Sequence, residues 1–266
     1  MIELIASKIA DLKTDEEKYN YLREYLQVLI LSILDEAGYF RNIAFIGGTA
    51  LRLIYKIHRY SEDLDFSLVN RDKYDFDLLV DKLVKELQLR NFDIHIKKKK
   101  VKSAVDSVFI RFGRVLFETG LSPLKDEKLA IKFEIDSNPP LGFNLEYSSF
   151  SEPMVFNLSH FDKPSLMAGK LHEILQRKYE KGRDYYDLWW YLLGGVEPNL
   201  ELLNNSLEQT TAKNPGLDVN TWKAMLLERL RKTDFSKVHN DVEAFLMFKT
   251  ELKNLTLENF ERVLLT

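Results

Sequence analysis

The 266-residue chain is 45% hydrophobic and contains 17 Phe and 12 Tyr, which excludes a mainly disordered protein and predicts one large or two modest domains. Its 38 Lys and Arg and 41 Asp and Glu give a net charge of −3, so a polyanionic partner needs a local basic patch. Because the chain has no Cys and its 5 His are scattered, disulfides, iron–sulfur clusters and zinc sites are not expected.

The N-terminal region predicts a helix rather than a targeting or membrane segment. Residues 15–38 show helical periodicity that ends at Gly38, and their most apolar run, YLQVLILSIL, is too short to span a bilayer. The first turns of the sequence are charged and acidic, unlike those of a secretory signal. We therefore expect a soluble, cytoplasmic protein without a membrane partner.

Strands and helices then alternate along the chain. NIAFIGG is a short apolar strand stopped by glycines, TALRLIYKI is helical, and DLDFSLV alternates strictly between polar and apolar residues. KYDFDLLVDKLVKELQL is an amphipathic helix, and the next predicted strands are FDIHIKKKKVK, AVDSVFIRFGRVLFE, KLAIKFEID and PMVFNLS. From Pro164 onwards the pattern is helical. The predicted fold is α+β, with a mixed sheet and flanking helices in residues 1–160 and a helical domain in residues 161–266.

The stretch FIGGTALRLIYKIHRYSEDLDFSL, residues 45–68, begins with a feature suited to phosphate. A strand that ends in Gly47 and Gly48 and enters a helix leaves backbone N–H groups at the helix N-terminus, where phosphate oxygens bind. Thr49 adds a hydroxyl at the same point. A Gly-Gly pair alone is a common turn and a weak indication of phosphate binding.

Basic residues and two carboxylates follow these glycines. Arg52 and Lys56 lie one turn apart on one helix face, which Arg59 continues if the helix persists. The next strand projects Asp63 and Asp65 from one face, and two such carboxylates can share Mg²⁺ together with substrate phosphates. Singly, each feature is usually surface charge or a solvated strand face. Their order and context together predict a site for a metal ion and a nucleoside triphosphate.

Two stretches of the sequence resemble a known family. GGTALRLIYKIHRYSEDLDFSL resembles the signature of the nucleotidyltransferase superfamily and, more closely, the AbiEii/AbiGii-type toxins of bacterial toxin–antitoxin systems. LMAGKLHEILQRKYEKGRDYYDLWWYL is similar to the Lys-containing helix and the Arg-Asp-x-x-Asp motif of that family. The resemblance covers roughly residues 40–195 and implies a nucleotidyltransferase-like fold, with the C-terminal helical domain contributing to the active site.

The second stretch supplies three further candidates. Lys170 lies in an apolar helix stripe, where a lysine extends its ammonium to solvent or pairs with a nearby Asp or Glu. The resemblance instead implies a catalytic Lys170 that serves the triphosphate or proton transfer. The resemblance also makes Asp184 catalytic and Asp187 nucleotide-binding. Asp184 alone is also explained as a helix N-cap after a glycine turn, whereas Asp187 has Trp190 and Tyr191 as neighbours and is harder to explain in this way.

A third metal-binding carboxylate is expected on a later strand, because polymerase-β-like transferases, which the chain resembles, take one there. In IKFEID the side chains of Lys132, Glu134 and Asp136 share a polar face, and we favour Glu134, followed by Asp136. An exposed strand face with an ion pair explains these residues equally well.

The resemblance implies a reaction as well as a site. Asp63 and Asp65 would be catalytic and would hold Mg²⁺ or Mn²⁺, with a nucleoside triphosphate as substrate. The leaving pyrophosphate would be held by residues around the glycine turn, namely Gly47, Gly48, Thr49, Arg52, Arg59 and Ser61. A nucleoside monophosphate would pass to an RNA, with tRNA favoured, and the protein would act as a toxin of a toxin–antitoxin or abortive-infection system with a cognate antitoxin.

Other functions fit the same residues. One is transfer to a small molecule by a nucleotidyltransferase or phosphotransferase, and another is nucleotide binding without catalysis by a partner protein. The dense basic run at 97–102 is typical of a protected sheet edge, but it would also steer an RNA backbone.

Overall fold

The computed structural model describes residues 2–98 and 104–265, so residues 99–102 of the basic run lie outside the described residues. The helices are α1 (Ile2–Ala10), α2 (Asp15–Glu36), α3 (Gly47–Tyr55), α4 (Phe76–Leu89), α5 (Val115–Glu118), α6 (Lys163–Gln176), α7 (Gly182–Leu193), α8 (Leu200–Thr211), α9 (Thr221–Leu230), α10 (Phe235–Val242) and α11 (Leu257–Leu265). The strands are β1 (Ile43–Ile46), β2 (Leu64–Leu68), β3 (Asp93–Lys98), β4 (Val105–Gly113), β5 (Lys128–Asp136), β6 (Leu145–Phe150) and β7 (Phe156–Phe161).

These strands form one mixed sheet in the order β3-β4-β5-β2-β1-β7-β6. β2 is parallel to β5 and β1 is parallel to β7, whereas β4 is antiparallel to both β3 and β5. After β7 the described chain is helical, with short 3₁₀ segments at residues 243–245 and 249–254. This arrangement confirms the predicted α+β class, with a mixed sheet, flanking helices and a C-terminal helical region.

The chain divides into two compact units. Unit 1 comprises Met1–Phe45, Glu62–Pro139 and Tyr147–His160, and unit 2 comprises Ile46–Ser61, Pro140–Glu146 and Phe161–Thr266. Unit 2 therefore combines the C-terminal helices with two earlier segments, one of which carries the glycine turn. The linear division predicted near His160 stays a prediction.

The core of unit 1 follows from strand alternation. Leu64 and Phe66 of β2 and Phe133 of β5 are buried, and the rings of Phe66 and Phe133 lie 5.0 Å apart. The side chains of Asp65 on β2 and Glu134 on β5 point to the other face of the sheet, because successive residues of a strand alternate between its faces. The period-two pattern of DLDFSLV thus placed its apolar residues correctly, and it leaves the carboxylates on the opposite face.

The start of α7 shows how unit 2 is packed. A Cβ atom at Gly182 would lie 2.1 Å from the carbonyl oxygen of Val238 in α10, so only glycine allows this approach of the two backbones. The N–H of Gly182 donates a hydrogen bond to the carboxylate of Asp241 at 2.7 Å. These contacts fix the helix that carries the Arg-Asp-x-x-Asp sequence.

Some local predictions were wrong. VLFE was predicted as the end of a strand, but it forms the short helix α5, because the strand ends at Gly113 and Arg114 is left-handed. The pattern-based assignment also missed β6, which follows the breaker SNPP and alternates only weakly. The helix at the glycine turn ends at Tyr55, since Lys56 has a φ of 58°.

Candidate active site

The glycine pair begins α3 directly after β1, as the sequence predicted. Ile46 is extended, and Gly47 has a φ of 77°, a conformation that favours glycine. The N–H groups of the first helical turn have no acceptor within their own helix, and these are the donors predicted to bind phosphate. Thr49 lies in this turn and is buried.

The second glycine makes room for a cation. A Cβ atom at Gly48 would lie 2.6 Å from a terminal nitrogen of the Arg59 guanidinium and 2.9 Å from the hydroxyl oxygen of Ser61. Both distances are too short for a real Cβ contact, so Arg59 and Ser61 approach the backbone of the turn because Gly48 has no side chain. Three of the predicted nucleotide-binding residues are therefore neighbours within unit 2.

The predicted basic stripe along α3 does not reach Arg59, which corrects the sequence analysis. The helix stops at Tyr55, and Lys56 is exposed. Arg52 is half-buried, donates a hydrogen bond to the carbonyl oxygen of Ile57 at 3.1 Å, and lies over the ring of Tyr60. Arg59 belongs to the extended segment after the helix.

Residues 58–60 pair with residues 245–247 in an antiparallel bridge. The N–H of Tyr60 donates to the carbonyl oxygen of Phe245 at 2.8 Å, and the N–H of Met247 donates to the carbonyl oxygen of His58 at 3.1 Å. The backbone around Arg59 is therefore held by a distant part of the chain within unit 2.

Arg59 and Asp187 form a buried bidentate ion pair. The guanidinium donates to the two carboxylate oxygens at 2.5 and 2.6 Å, and Arg59 and Asp187 are 2% and 0% exposed. Burial by itself would lower the pKa of Arg59, but the adjacent Asp187 carboxylate outweighs burial and raises it. Arg59 is therefore a fixed cation beside the glycine turn, and Asp187 is the group that neutralises it.

Lys170 on α6 lies among three carboxylates. Its ammonium donates to Glu173 at 2.7 Å and to Asp184 at 2.8 Å, and it lies 3.4 Å from Asp187. Burial alone would lower the pKa of Lys170, but Asp184 and the other two carboxylates outweigh it and hold the pKa well above its usual range. The pairing with carboxylates that the sequence left open is present in the structure.

Two members of this buried cluster were missed by the sequence analysis. Arg177 donates to Asp184 at 2.5 Å and lies 3.4 Å from Glu173. The spacing of Lys170, Glu173 and Arg177 along the sequence gives them one helix face, and this could have identified them. Asp184 is not the N-cap of α7, since Lys181 has that position, so its carboxylate serves the ion pairs instead.

The predicted metal-binding carboxylates lie in unit 1. Asp63 immediately precedes β2, Asp65 is its second residue, and both are half-buried. Asp65 lies directly opposite Glu134 in the parallel pairing of β2 with β5, and Ser67 lies opposite Asp136. Opposed residues of neighbouring strands share a face, so the register places the favoured third carboxylate beside the Asp-x-Asp pair.

A lysine of the same face engages the third carboxylate. The ammonium of Lys132 lies 2.5 Å from the carboxylate of Glu134. Burial would lower the pKa of Lys132, but the hydrogen bond to Glu134 and the charges of Asp63 and Asp65 outweigh it and raise the pKa. Across residues 2–98 and 104–265, no three His, Asp or Glu side chains are grouped so as to hold a metal ion.

The AbiEii family model, which describes a nucleotidyl transferase toxin of a type IV toxin–antitoxin system, matches residues 29–264. The chain belongs to the AbiEii family. The match includes the glycine turn, both strands with carboxylates, and the helices that carry Lys170 and Asp187. AbiEii proteins are nucleotidyltransferases of toxin–antitoxin systems, so family membership implies a nucleotide substrate and a cognate antitoxin.

The AbiEii chain is similar to solved structures, the first of which shares its fold. One is a crystal structure from H. pylori described as a candidate nucleotidyltransferase, with a TM-score of 0.51 and 18% identity over 96% of this chain and 92% of that chain. Another is JHP933 from Helicobacter pylori, with a TM-score of 0.49 and 19% identity over 92% and 87% of the two chains. No curated protein is similar enough to count as a relative.

The AbiEii chain thus presents two groups of predicted residues, one in each unit. Unit 1 carries Asp63, Asp65 and Glu134, and unit 2 carries the glycine turn and the ion pairs of Arg59 and Lys170. None of the helices in the described ranges is both long enough and apolar enough to cross a bilayer.

Proposed function

We propose that this AbiEii protein transfers a nucleoside monophosphate from a nucleoside triphosphate to the 3′-hydroxyl of an RNA, with tRNA as the preferred acceptor. The observation that carries the proposal is the register of β2 and β5, which places Asp65 directly opposite Glu134. By strand alternation, Asp63 is on the same face as Asp65. A carboxylate cluster after a strand–Gly-Gly–helix turn suits phosphoryl chemistry because it can hold a hard cation.

The chain's own residues supply the binding steps. N–H groups at Gly47 and Gly48, with Thr49 and Ser61, would bind oxygens of the triphosphate. Arg59 would add positive charge there, since Gly48 lets its guanidinium approach the turn. In the transfer, the RNA 3′-oxygen bonds to the α-phosphorus, the bond to pyrophosphate breaks, and the hydroxyl proton passes to a carboxylate.

Mg²⁺ or Mn²⁺ is the proposed cofactor, and the donor set fits it. Asp63 and Asp65 offer the hard oxygen ligands that these ions prefer, and Lys132 already places a positive charge on the same face. When bound, the ion would stabilise charge on the attacking and leaving oxygens. Glu134 is the proposed third ligand.

The buried residues of unit 2 have a proposed supporting role. Asp187 orients Arg59 through two hydrogen bonds, and Lys170 and Arg177 balance the charges of Asp184 and Asp187. A direct contact of Lys170 with the triphosphate remains a second proposal. It requires the ammonium to leave Asp184, and the thermal and kinetic behaviour of a Lys170 variant separates the two roles.

Label transfer tests the proposed reaction. The protein is incubated with total RNA or purified tRNA, Mg²⁺ and each α-labelled nucleoside triphosphate in turn, with Asp65→Asn as the matched control. We expect label on RNA with wild type and none with Asp65→Asn. Label only on an added small-molecule acceptor would favour the small-molecule enzyme, and nucleotide binding without transfer to any acceptor would favour a non-catalytic protein.

A further inference from the structure

Lys132 is a charged residue of the carboxylate face to which the proposed reaction assigns no role. It lies two residues before Glu134 on β5, and its ammonium is 2.5 Å from that carboxylate. The side chains of Lys132 and Glu134 are 28% and 20% exposed, so both remain in contact with water.

The strands around Lys132 supply mostly negative charge. Asp65 lies on β2 and Asp63 immediately precedes it, and the negative charges of both raise the pKa of Lys132. Asp136 is on the same face of β5 as Glu134. On the other side, β4 places the uncharged residues Val105, Ser107 and Phe109 opposite Asp136, Glu134 and Lys132. Arg111 of β4, opposite Ala130, and Lys128 of β5 are also on this face, but Lys132 is the cation directly next to Glu134 in the alternation of β5.

An ammonium and a divalent cation compete for such a face. Both are attracted by the same carboxylates. The Lys132 ammonium carries one charge and donates hydrogen bonds to them, whereas a divalent cation carries two charges and coordinates their oxygens directly. A partly exposed ion pair contributes little, because water and salt compete for both partners, so a stronger cation can replace the ammonium.

We propose that Lys132 is a positioning residue that engages Glu134 in the metal-free protein, and that a divalent cation has to displace its ammonium before Glu134 becomes a ligand. The inference rests on the proposed metal-dependent function. Glu134 then becomes the third ligand only after the Lys132 ammonium has left it. The metal affinity is therefore lower than it would be without the ammonium of Lys132.

Metal binding without nucleotide or RNA tests this role directly. The free Mn²⁺ signal in electron paramagnetic resonance gives the Kd of the full-length wild type, Lys132→Met and Lys128→Met. Lys128 is an exposed residue on the same face of the same strand, and its loss controls for removal of a lysine. We expect Kd to fall by up to about fivefold in Lys132→Met, the factor that matches the upper end of the range for a partly exposed ion pair, and to stay unchanged in Lys128→Met.

A double variant checks that the higher Mn²⁺ affinity expected for Lys132→Met depends on Glu134. Lys132→Met with Glu134→Gln should return Kd to the wild-type value or above it, and Lys132→Gln replaces Lys132→Met if the latter does not fold. An unchanged or raised Kd in Lys132→Met would overturn the role of Lys132 while leaving the metal site standing. Absence of Mn²⁺ binding in every variant would overturn both this role and the proposed metal site.

Discussion

Two lysines, one in each unit, lie among carboxylates in different ways. In unit 1 the side chain of Lys132 is 28% exposed and its ammonium lies 2.5 Å from the carboxylate of Glu134. In unit 2 the side chain of Lys170 is 10% exposed and contacts three carboxylates, each of which also pairs with an arginine. Similar residue types thus form a partly exposed cluster in one unit and a largely buried one in the other.

The two clusters should respond differently to substitution because their side chains differ in exposure to water. A partly exposed ion pair contributes little to stability, because water competes for both partners and salt screens them. A buried pair also gives little net stability, but removal of one partner leaves a charge that water cannot reach. We therefore expect substitutions in the unit 2 cluster to affect folding first, and substitutions on the unit 1 face to affect binding and catalysis first.

The largest effect is expected for Asp187→Asn. Asp187 is fully buried and neutralises Arg59, so its loss should lower the free energy of unfolding by about 3–5 kcal/mol. Urea denaturation followed by circular dichroism measures this change. The matched control is Asp65→Asn on the half-buried face of β2, which should stay within about 0.5 kcal/mol of wild type. Equal stability of the two variants would contradict the contrast between the clusters.

Asp63→Asn and Asp65→Asn should show the opposite behaviour. Each removes a negative charge from the proposed metal site, which should lower the transfer rate by about 10²–10³-fold while the fold is retained. Single-turnover label transfer with the best RNA acceptor gives the rate, and a thermal melt confirms folding. Wild-type turnover by either folded variant would remove these residues from the catalytic machinery.

Lys170→Met sharpens the comparison because it can be paired with Lys132→Met. Loss of the Lys170 ammonium leaves Glu173, Asp184 and Asp187 with two arginines, so we expect a loss of about 1–3 kcal/mol, smaller than that of Asp187→Asn. Lys132→Met should melt close to wild type. A Lys170→Met protein as stable as wild type but inactive would instead support direct contact of Lys170 with the triphosphate.

The smallest effect is expected at the glycine turn. Gly48→Ala forces Arg59 and Ser61 to move by tenths of an ångström, and we expect a loss of about 1 kcal/mol together with weaker nucleotide binding in calorimetry. The control is Gly169→Ala in the middle of α6, where a new Cβ meets nothing within 4 Å and should stabilise the helix slightly. Gly48→Val should bind nucleotide more weakly still, and unchanged affinity in both Gly48 variants would contradict the phosphate-binding turn.

The sequence predicted the local parts of the site because their periodicity is local. Alternation in DLDFSLV placed Asp63 and Asp65 opposite the apolar face, and the glycine pair marked the start of α3. The end of α3 at Tyr55 carried no such signal, since the left-handed residue there is Lys56 rather than glycine. The condition for Arg59 to continue the basic helix face, that the helix persists beyond Tyr55, is therefore not met.

Pairings between distant residues could not be predicted in the same way. Asp65 meets Glu134 through the register of β2 on β5, and no local pattern specifies a register between strands so far apart in the chain. The partner of Arg59 is 128 residues away and lies on a helix whose motif suggested nucleotide binding instead. The pairing of Arg59 with Asp187 therefore became visible only in three dimensions.

The bridge between residues 58–60 and 245–247 has a consequence for the order of events during synthesis. At about 5–20 residues per second, a ribosome needs roughly ten seconds or more to pass from Arg59 to the end of the bridge. Until then the segment that follows the glycine turn lacks both its backbone partner and, for most of that time, the carboxylate of Asp187. A nascent chain that has not reached the bridge therefore lacks the contacts that hold the segment after the glycine turn, and it acquires them only after residue 247 has been added.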